Sequence, residues 1–295
     1  MRYIKYEKEY SNINWKACNK GALYHFAAGI LNTFILVVFG KKFQTLYCGT
    51  EEYANQSLIY KYLFMLASVH VLRSKYYIGW KLSQAAVIFC GLGYDVKTND
   101  KGESVATFDR VENINITKLE LDISPLNRIK YWNRTVHLWL KYHLFMRLIN
   151  VEKRPFKNNK PLASLITFMV SAFWHGFYPV YFVFFLQYYL IDQVSKYLEY
   201  NYDLFNKIEK SSIVPRNLFR LFICFVIDYF GLCFSLLSLT SHYYFNKAFY
   251  FVPLTSLFCG YLFILYSNIH HKKKRGHGHR GEVSVNENYE KTKGE

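Results

Sequence analysis

The chain has 295 residues, is 52% hydrophobic and 20% aromatic, and carries a formal charge of +16. A nucleic-acid binder would gather that excess on one folded face, but here the cations sit at the ends of apolar runs, so the charge is topological and nucleic acid is not an expected partner. Six cysteines without CxxC spacing, several of them inside apolar runs, predict small apolar residues and neither a disulfide frame nor a metal site.

Taken in chain order, Met1 to Asn19 is polar and basic with no secretory leader, so the first apolar run is expected to serve as its own insertion signal. That run, Gly21 to Gly40, holds His25 as its one ionisable residue and is long enough to cross a bilayer. Ser57 to Leu72 and Tyr76 to Gly93 are apolar stretches interrupted by Lys61 and Lys81, which predicts two shorter or partly interfacial helices. A charged connector, Asp95 to Glu120, follows. The spacing of its apolar residues predicts a surface-lying helix near Ile114 to Ile123, ended by Pro125.

Pro161 to Ile191 contains no Asp, Glu, Lys or Arg, and Phe168 to Leu190 is apolar on every face, which belongs in lipid or a large core. Leu221 to Ser241 carries only Asp228, and Ala248 to Ile269 carries no Asp, Glu, Lys or Arg. The expected fold is all-α: a polytopic membrane protein with six or seven membrane helices in a single domain over residues 1–271, with a catalytic-looking block at 131–191. Residues 272–295 form a basic tail expected to be disordered, and Lys272 to Arg275 place it in the cytosol. Asn55-Gln56-Ser57 and Asn115-Ile116-Thr117 are glycosylation sequons, weak signals on a chain whose loops can face the cytosol.

Two segments carry chemistry. His175 lies in Ser171-Ala172-Phe173-Trp174-His175-Gly176-Phe177-Tyr178-Pro179, far from the nearest charge on either side. A straight helix over the 31 uncharged residues would run about 46 Å, longer than the roughly 30 Å hydrocarbon core, so it must tilt or break. Gly176 with Pro179 is the natural break, and a broken helix at membrane depth is tolerated where it lines a cavity. A neutral imidazole there can take a proton from a hydroxyl and return it; the plainer alternative is a histidine that bonds a neighbouring helix.

The second segment, Lys130 to Tyr142, predicts a helix with Lys130, Arg134, His137 and Lys141 on one basic stripe and Trp132, Val136, Trp139 and His143 on a mostly aromatic face. Such a helix could hold phosphates on one side and an acyl chain on the other; equally, it could be an interfacial helix anchored by aromatic rings and snorkelling cations. Asn133 lies beside the stripe and begins a third sequon, Asn133-Arg134-Thr135.

Together, Trp132-Asn133-Arg134-Thr135-Val136 with Trp139-Leu140-Lys141-Tyr142, and Ser171 to Pro179 with Tyr181 and Phe182, resemble the signature pair of the membrane-bound O-acyltransferases. They are similar in particular to the lysophospholipid acyltransferase branch, with the Asn and His 42 residues apart. Lys75-Tyr76-Tyr77, Trp80 and Gly91-Leu92-Gly93-Tyr94 extend the resemblance upstream. The resemblance implies acyl transfer from acyl-CoA to the free hydroxyl of a lysophospholipid, with His175 as general base and Asn133 orienting it or binding the reacting groups. Trp132, Thr135, Trp174, Arg134 and Lys141 are the implied substrate contacts. Lys130, Arg147, Lys153, Arg154, Lys157 and Lys160 are further candidates for the CoA phosphates. No metal or cofactor is expected beside acyl-CoA as cosubstrate.

Two departures are visible. Members of that branch carry additional spans before the point where this chain starts, so N-terminal spans are expected to be missing. Val180 stands where relatives often have Gly. The other readings are a family member with a different acceptor, or a non-catalytic membrane protein. Lys291 and Lys293, close to the C-terminus, resemble a cytosolic retrieval signal and predict a multi-pass protein of the endoplasmic reticulum.

Overall fold

The computed structural model describes residues 13–99, 101–151 and 159–276. Lys153, Arg154, Lys157, Lys291 and Lys293 lie outside these residues, as does the expected disorder of residues 277–295.

Helix α1, Trp15–Phe39, starts where the Asn14 side chain accepts the Ala17 backbone N–H. A 3-10 turn, Thr45–Gly49, and a short helix α2, Glu51–Ala54, lead into α3, Leu58–Phe89. The faces of α1 are sorted inside out. Its buried residues include Cys18, Ala22 and Gly29, while Leu23, Phe34 and Val37 are 60–75% exposed. Small residues at the contact and large apolar ones outward is the pattern of a helix whose solvent is lipid. At Gly29 an added Cβ would sit 2.5 Å from the Leu82 side chain of α3, so the two helices approach closely there.

The two interrupted stretches expected at 57–93 are one helix of 32 residues. The lysines do not break it because their charges are met: Lys61 Nζ donates to the Ala54 carbonyl at 3.2 Å, and Lys81 Nζ to the Ile114 carbonyl at 2.8 Å.

The connector departs from expectation in two ways. It opens with an antiparallel hairpin, β1 Asp95–Thr98 and β2 Ser104–Thr107, turned through Gly102 at φ +78°. Its helix α4, Ile116–Leu121, is shorter than expected and is not surface-lying: Ile114, Leu119 and Ile123 are buried, and Ile114 and Leu119 pack with Tyr77 of α3. Pro125 opens a new helix, α5, Pro125–Tyr131, instead of only ending one; its fixed φ and missing N–H suit a first turn.

Then come α6, Arg134–Leu140, a π-turn over Lys141–Phe145, and α7, Met146–Ile149. The long apolar stretch is two helices, α8, Lys160–His175, and α9, Pro179–Tyr202, broken at Gly176 (φ +130°) as the Gly and Pro predicted. Helix α10, Leu204–Glu209, precedes α11, Ile213–Cys233, which starts and ends about eight residues earlier than the expected span. Helix α12, Leu239–Ala248, precedes α13, Val252–Gly276, which covers the span expected from Ala248 but starts four residues later. Residues 272–276 are helical.

Among the described residues α1 is long and apolar enough by itself to cross a membrane; α12 with Val252–Ser267 passes as a pair bent by 92°. The bend falls at Tyr250 and Phe251, both with left-handed φ.

The largest apolar cluster joins Met65 and Val69 of α3, Ile191 of α9, Tyr229 and Phe230 of α11 and Phe245 of α12. Helix α3 therefore packs α1 on one side and α11 on another, while α9 touches α5, α8, α11 and α13.

Candidate active site

His175 is the last residue of α8, so its ring stands at the helix break, half-buried. Phe185 of α9 stacks on the imidazole with centroids 5.2 Å apart, and Phe234 meets it edge-on at 5.1 Å, with Tyr181 at 5.9 Å. Three aromatic rings from two elements fix the ring plane. Among the described residues no hydrogen bond engages its nitrogens, so in the neutral ring one lone pair is open to an incoming donor. Trp174 is 62% exposed and meets its neighbour's imidazole edge-on at 4.9 Å. Val180, on the first turn of α9, is fully buried.

The Lys130–Tyr142 segment is not the single helix expected. It breaks at Trp132 and Asn133, and Asn133 takes a left-handed conformation, φ +46° and ψ +54°. Lys130 therefore sits on α5 and leaves the stripe, which keeps Arg134, His137 and Lys141. The break has a local cause and a distant one. Asn tolerates left-handed φ better than other non-Gly residues, and Asn113 of the connector meets the exposed start of α6. Its carbonyl accepts the Arg134 N–H at 2.8 Å, its Oδ1 accepts the Thr135 N–H at 2.9 Å, and its Nδ2 donates to Asn133 Oδ1 at 3.2 Å.

The implied substrate contacts fare differently. Trp132 packs edge-on against Trp80 and Tyr76 at 5.0 and 5.2 Å, a packing role that ties the motif to α3. Arg134 is paired with Glu112 at 3.2 Å, which leaves its charge less available to a phosphate. Thr135 is exposed on the first turn of α6, and its backbone makes the contact to Asn113. Lys141 is exposed, its ammonium 5.4 Å from the Tyr142 ring. His137 is held below the usual histidine range by burial and then by the charges of Lys130 and Lys141.

The two motifs meet at the level of elements. The π-turn after α6 packs on α8, and α5 packs on α9. Among the described residues no hydrogen bond or ring contact joins Asn133 to His175 directly.

Sequence reasoning missed Asn113 and a buried ionic cluster behind it. Arg73 of α3 pairs with Asp228 of α11 at 2.8 Å and with Glu120 of α4 at 3.2 Å. Tyr77 donates to the same Glu120 at 2.5 Å. Arg128, 1% exposed, donates to the Asp122 carbonyl at 2.6 Å and to Cys224 Sγ at 3.2 Å. Half of the signal for the first pair was present: Asp228 is a lone charge inside an apolar run and such a charge needs a partner, whereas Arg73 lies beside Lys75 between two runs.

A family profile described as MBOAT, membrane-bound O-acyltransferase family, matches residues 3–236. The "Lysophospholipid acyltransferase" of Saccharomyces cerevisiae is 33% identical over 168 residues, covering 56% of this chain and 26% of that protein. The protein of the same name from Schizosaccharomyces pombe is 31% identical over 170 residues, 57% of this chain and 32% of its own. "Lysophospholipid acyltransferase 2" of Arabidopsis thaliana is 32% identical over 198 residues, 64% of this chain and 41% of its own. The chain thus spans less than half the length of these curated relatives.

Proposed function

The chain belongs to the membrane-bound O-acyltransferase family, and on that premise we propose that it is a lysophospholipid acyltransferase. It would move an acyl group from acyl-CoA to the free hydroxyl of a lysophospholipid within the membrane. The observation that carries this is His175, held by three aromatic rings at a helix break with its nitrogens unengaged, in a chain whose relatives are named for that activity.

In this reaction His175 takes the hydroxyl proton as the oxygen attacks the thioester carbonyl, and the imidazolium returns the proton to the departing CoA thiolate. One ester forms, one thioester breaks, and no covalent enzyme intermediate is required. Base catalysis and alignment of the two substrates supply the rate. We assign Asn133 to the reacting carbonyl, and Lys141, with Lys160 and Arg147, all exposed, to the nucleotide phosphates. We assign six membrane segments to α1, α3, α8, α9, α11 and the bent α12–α13 pair, in a multi-pass protein of the endoplasmic reticulum; the inside-out faces of α1 and the lysines near the C-terminus support that placement.

The test is transfer of labelled acyl-CoA to a panel of lysophospholipids by membranes containing the full chain. The expected result is labelled phospholipid from the wild type and none from His175→Ala at equal membrane abundance. Undiminished transfer by His175→Ala overturns the mechanism, and a silent wild type overturns the activity.

A further inference from the structure

Helices usually begin with a residue whose own side chain accepts an N–H of the first turn. Helix α6 does not. Asn133 occupies the N-cap position, is a residue type favoured there, and makes no side-chain cap bond. The cap comes from Asn113, twenty residues earlier, whose carbonyl and side-chain oxygens accept the N–H groups of Arg134 and Thr135. Asn133 is thereby released from capping while being held in a left-handed backbone that few other residues tolerate.

The bond pattern also fixes which end of each amide points where. The Thr135 backbone N–H can only donate, so the Asn113 atom that meets it is the oxygen. The Asn113 amino group must then be the atom facing Asn133, and as a donor it selects the Asn133 oxygen. Among the described residues Asn133 Nδ2 has no partner. Glu112, beside Asn113, holds the next residue by pairing with Arg134 at 3.2 Å, which ties the connector to α6 through a second contact.

We infer that Asn113 is a positioning residue: it takes over the cap of α6 and turns the Asn133 amide so that Nδ2–H, not Oδ1, is the group offered to the substrate. This rests on the reading of Asn133 as a catalytic residue. The offered group is a hydrogen-bond donor, suited to the thioester carbonyl as negative charge develops on its oxygen, and unsuited to orienting a proton-bearing imidazole nitrogen as an acceptor would.

Two variants separate the parts. Asn113→Asp keeps an oxygen for the Thr135 N–H but has no N–H for Asn133, whose amide is then free to turn over. Asn133→Asp keeps the bond accepted from Asn113 and removes only the outward donor. Each is expected to lower kcat about 10²-fold, the typical loss of one such donor, with KM for acyl-CoA and lysophospholipid unchanged. Wild-type kcat in either variant overturns the inference; should Asn113→Asp fail to accumulate in membranes, Asn133→Asp, which keeps the whole clamp, decides it. Independently of activity, the thermal-midpoint losses of Asn113→Ala and Asn133→Ala are expected not to add in the double variant, and additive losses overturn the contact. If Asn133→Ala itself retains full activity, the catalytic reading of Asn133 fails; if Asn133→Ala is silent while Asn113→Asp is fully active, the positioning role alone fails.

Discussion

Arg73 and Asp228 approach to 2.8 Å with side chains 9% and 6% exposed, an ion pair between two helices in apolar surroundings. Glu120 meets the same guanidinium nitrogen at 3.2 Å. One cation thus bonds α3, the connector helix α4 and α11 together, and the connector in turn carries Asn113.

Breaking that cluster from its centre is expected to be costly. Arg73→Met leaves two carboxylates close together without a cation, and removing one partner of a buried pair costs about 3–5 kcal/mol. Asp228→Asn should cost less, since Arg73 keeps Glu120. Thermal midpoints in detergent rank the two variants, and the reverse order would mean that Glu120 does not share the guanidinium.

His175 depends on its aromatic neighbours for orientation. Phe185→Leu keeps an apolar side chain in the buried position, so stability should change by less than about 1.5 kcal/mol. Catalysis should suffer more, because misplacing a reacting group by about 1 Å can cost roughly 10²-fold. The expected signature is a lower kcat with unchanged KM; equal kcat would remove Phe185 from the account of the site.

The Gly91-Leu92-Gly93 turn offers a paired measurement. Gly93 has φ +76°, and an added Cβ would meet Val111 Cγ1 at 2.5 Å, whereas Gly102 has φ +78° with nothing within 4 Å. Gly102→Ala reports the backbone cost alone, about 1–2 kcal/mol. Gly93→Ala adds overpacking of about 1–3 kcal/mol, so its midpoint should fall further. Equal shifts would show that Val111 gives way freely.

Lys81 stabilises the contact of α3 with the connector. Its ammonium donates to the Ile114 carbonyl and to Gln84 Oε1, at 2.8 and 3.3 Å. Lys81→Met keeps the length of the side chain and leaves the carbonyl unpaired, a loss of about 1–3 kcal/mol. Unchanged stability of Lys81→Met would show that water replaces the ammonium.

What was legible in the residues was whatever local backbone chemistry and solvent preference decide. Uninterrupted apolar runs announced the helices, and Gly176 with Pro179 announced the break, because a residue without Cβ and one without N–H act on their own neighbours whatever the rest of the chain does. The two motifs identified the family for the same reason, since each is a short contiguous stretch. The tertiary structure decided what depends on partners far along the chain. Lys61 and Lys81 looked like interruptions, and they are accommodated within one long helix because distant or preceding carbonyls accept from them. Asn133 looked like a mid-helix residue beside a basic stripe, and it is a left-handed junction because Asn113 satisfies the N–H groups that the break exposes. The hairpin escaped notice because its strands are short, polar and mostly exposed, and the burial of the connector because it depends on Tyr77 of α3. A charge or an amide has no fixed role in a sequence; its role is set by whichever group meets it, and only the fold brings that group within reach.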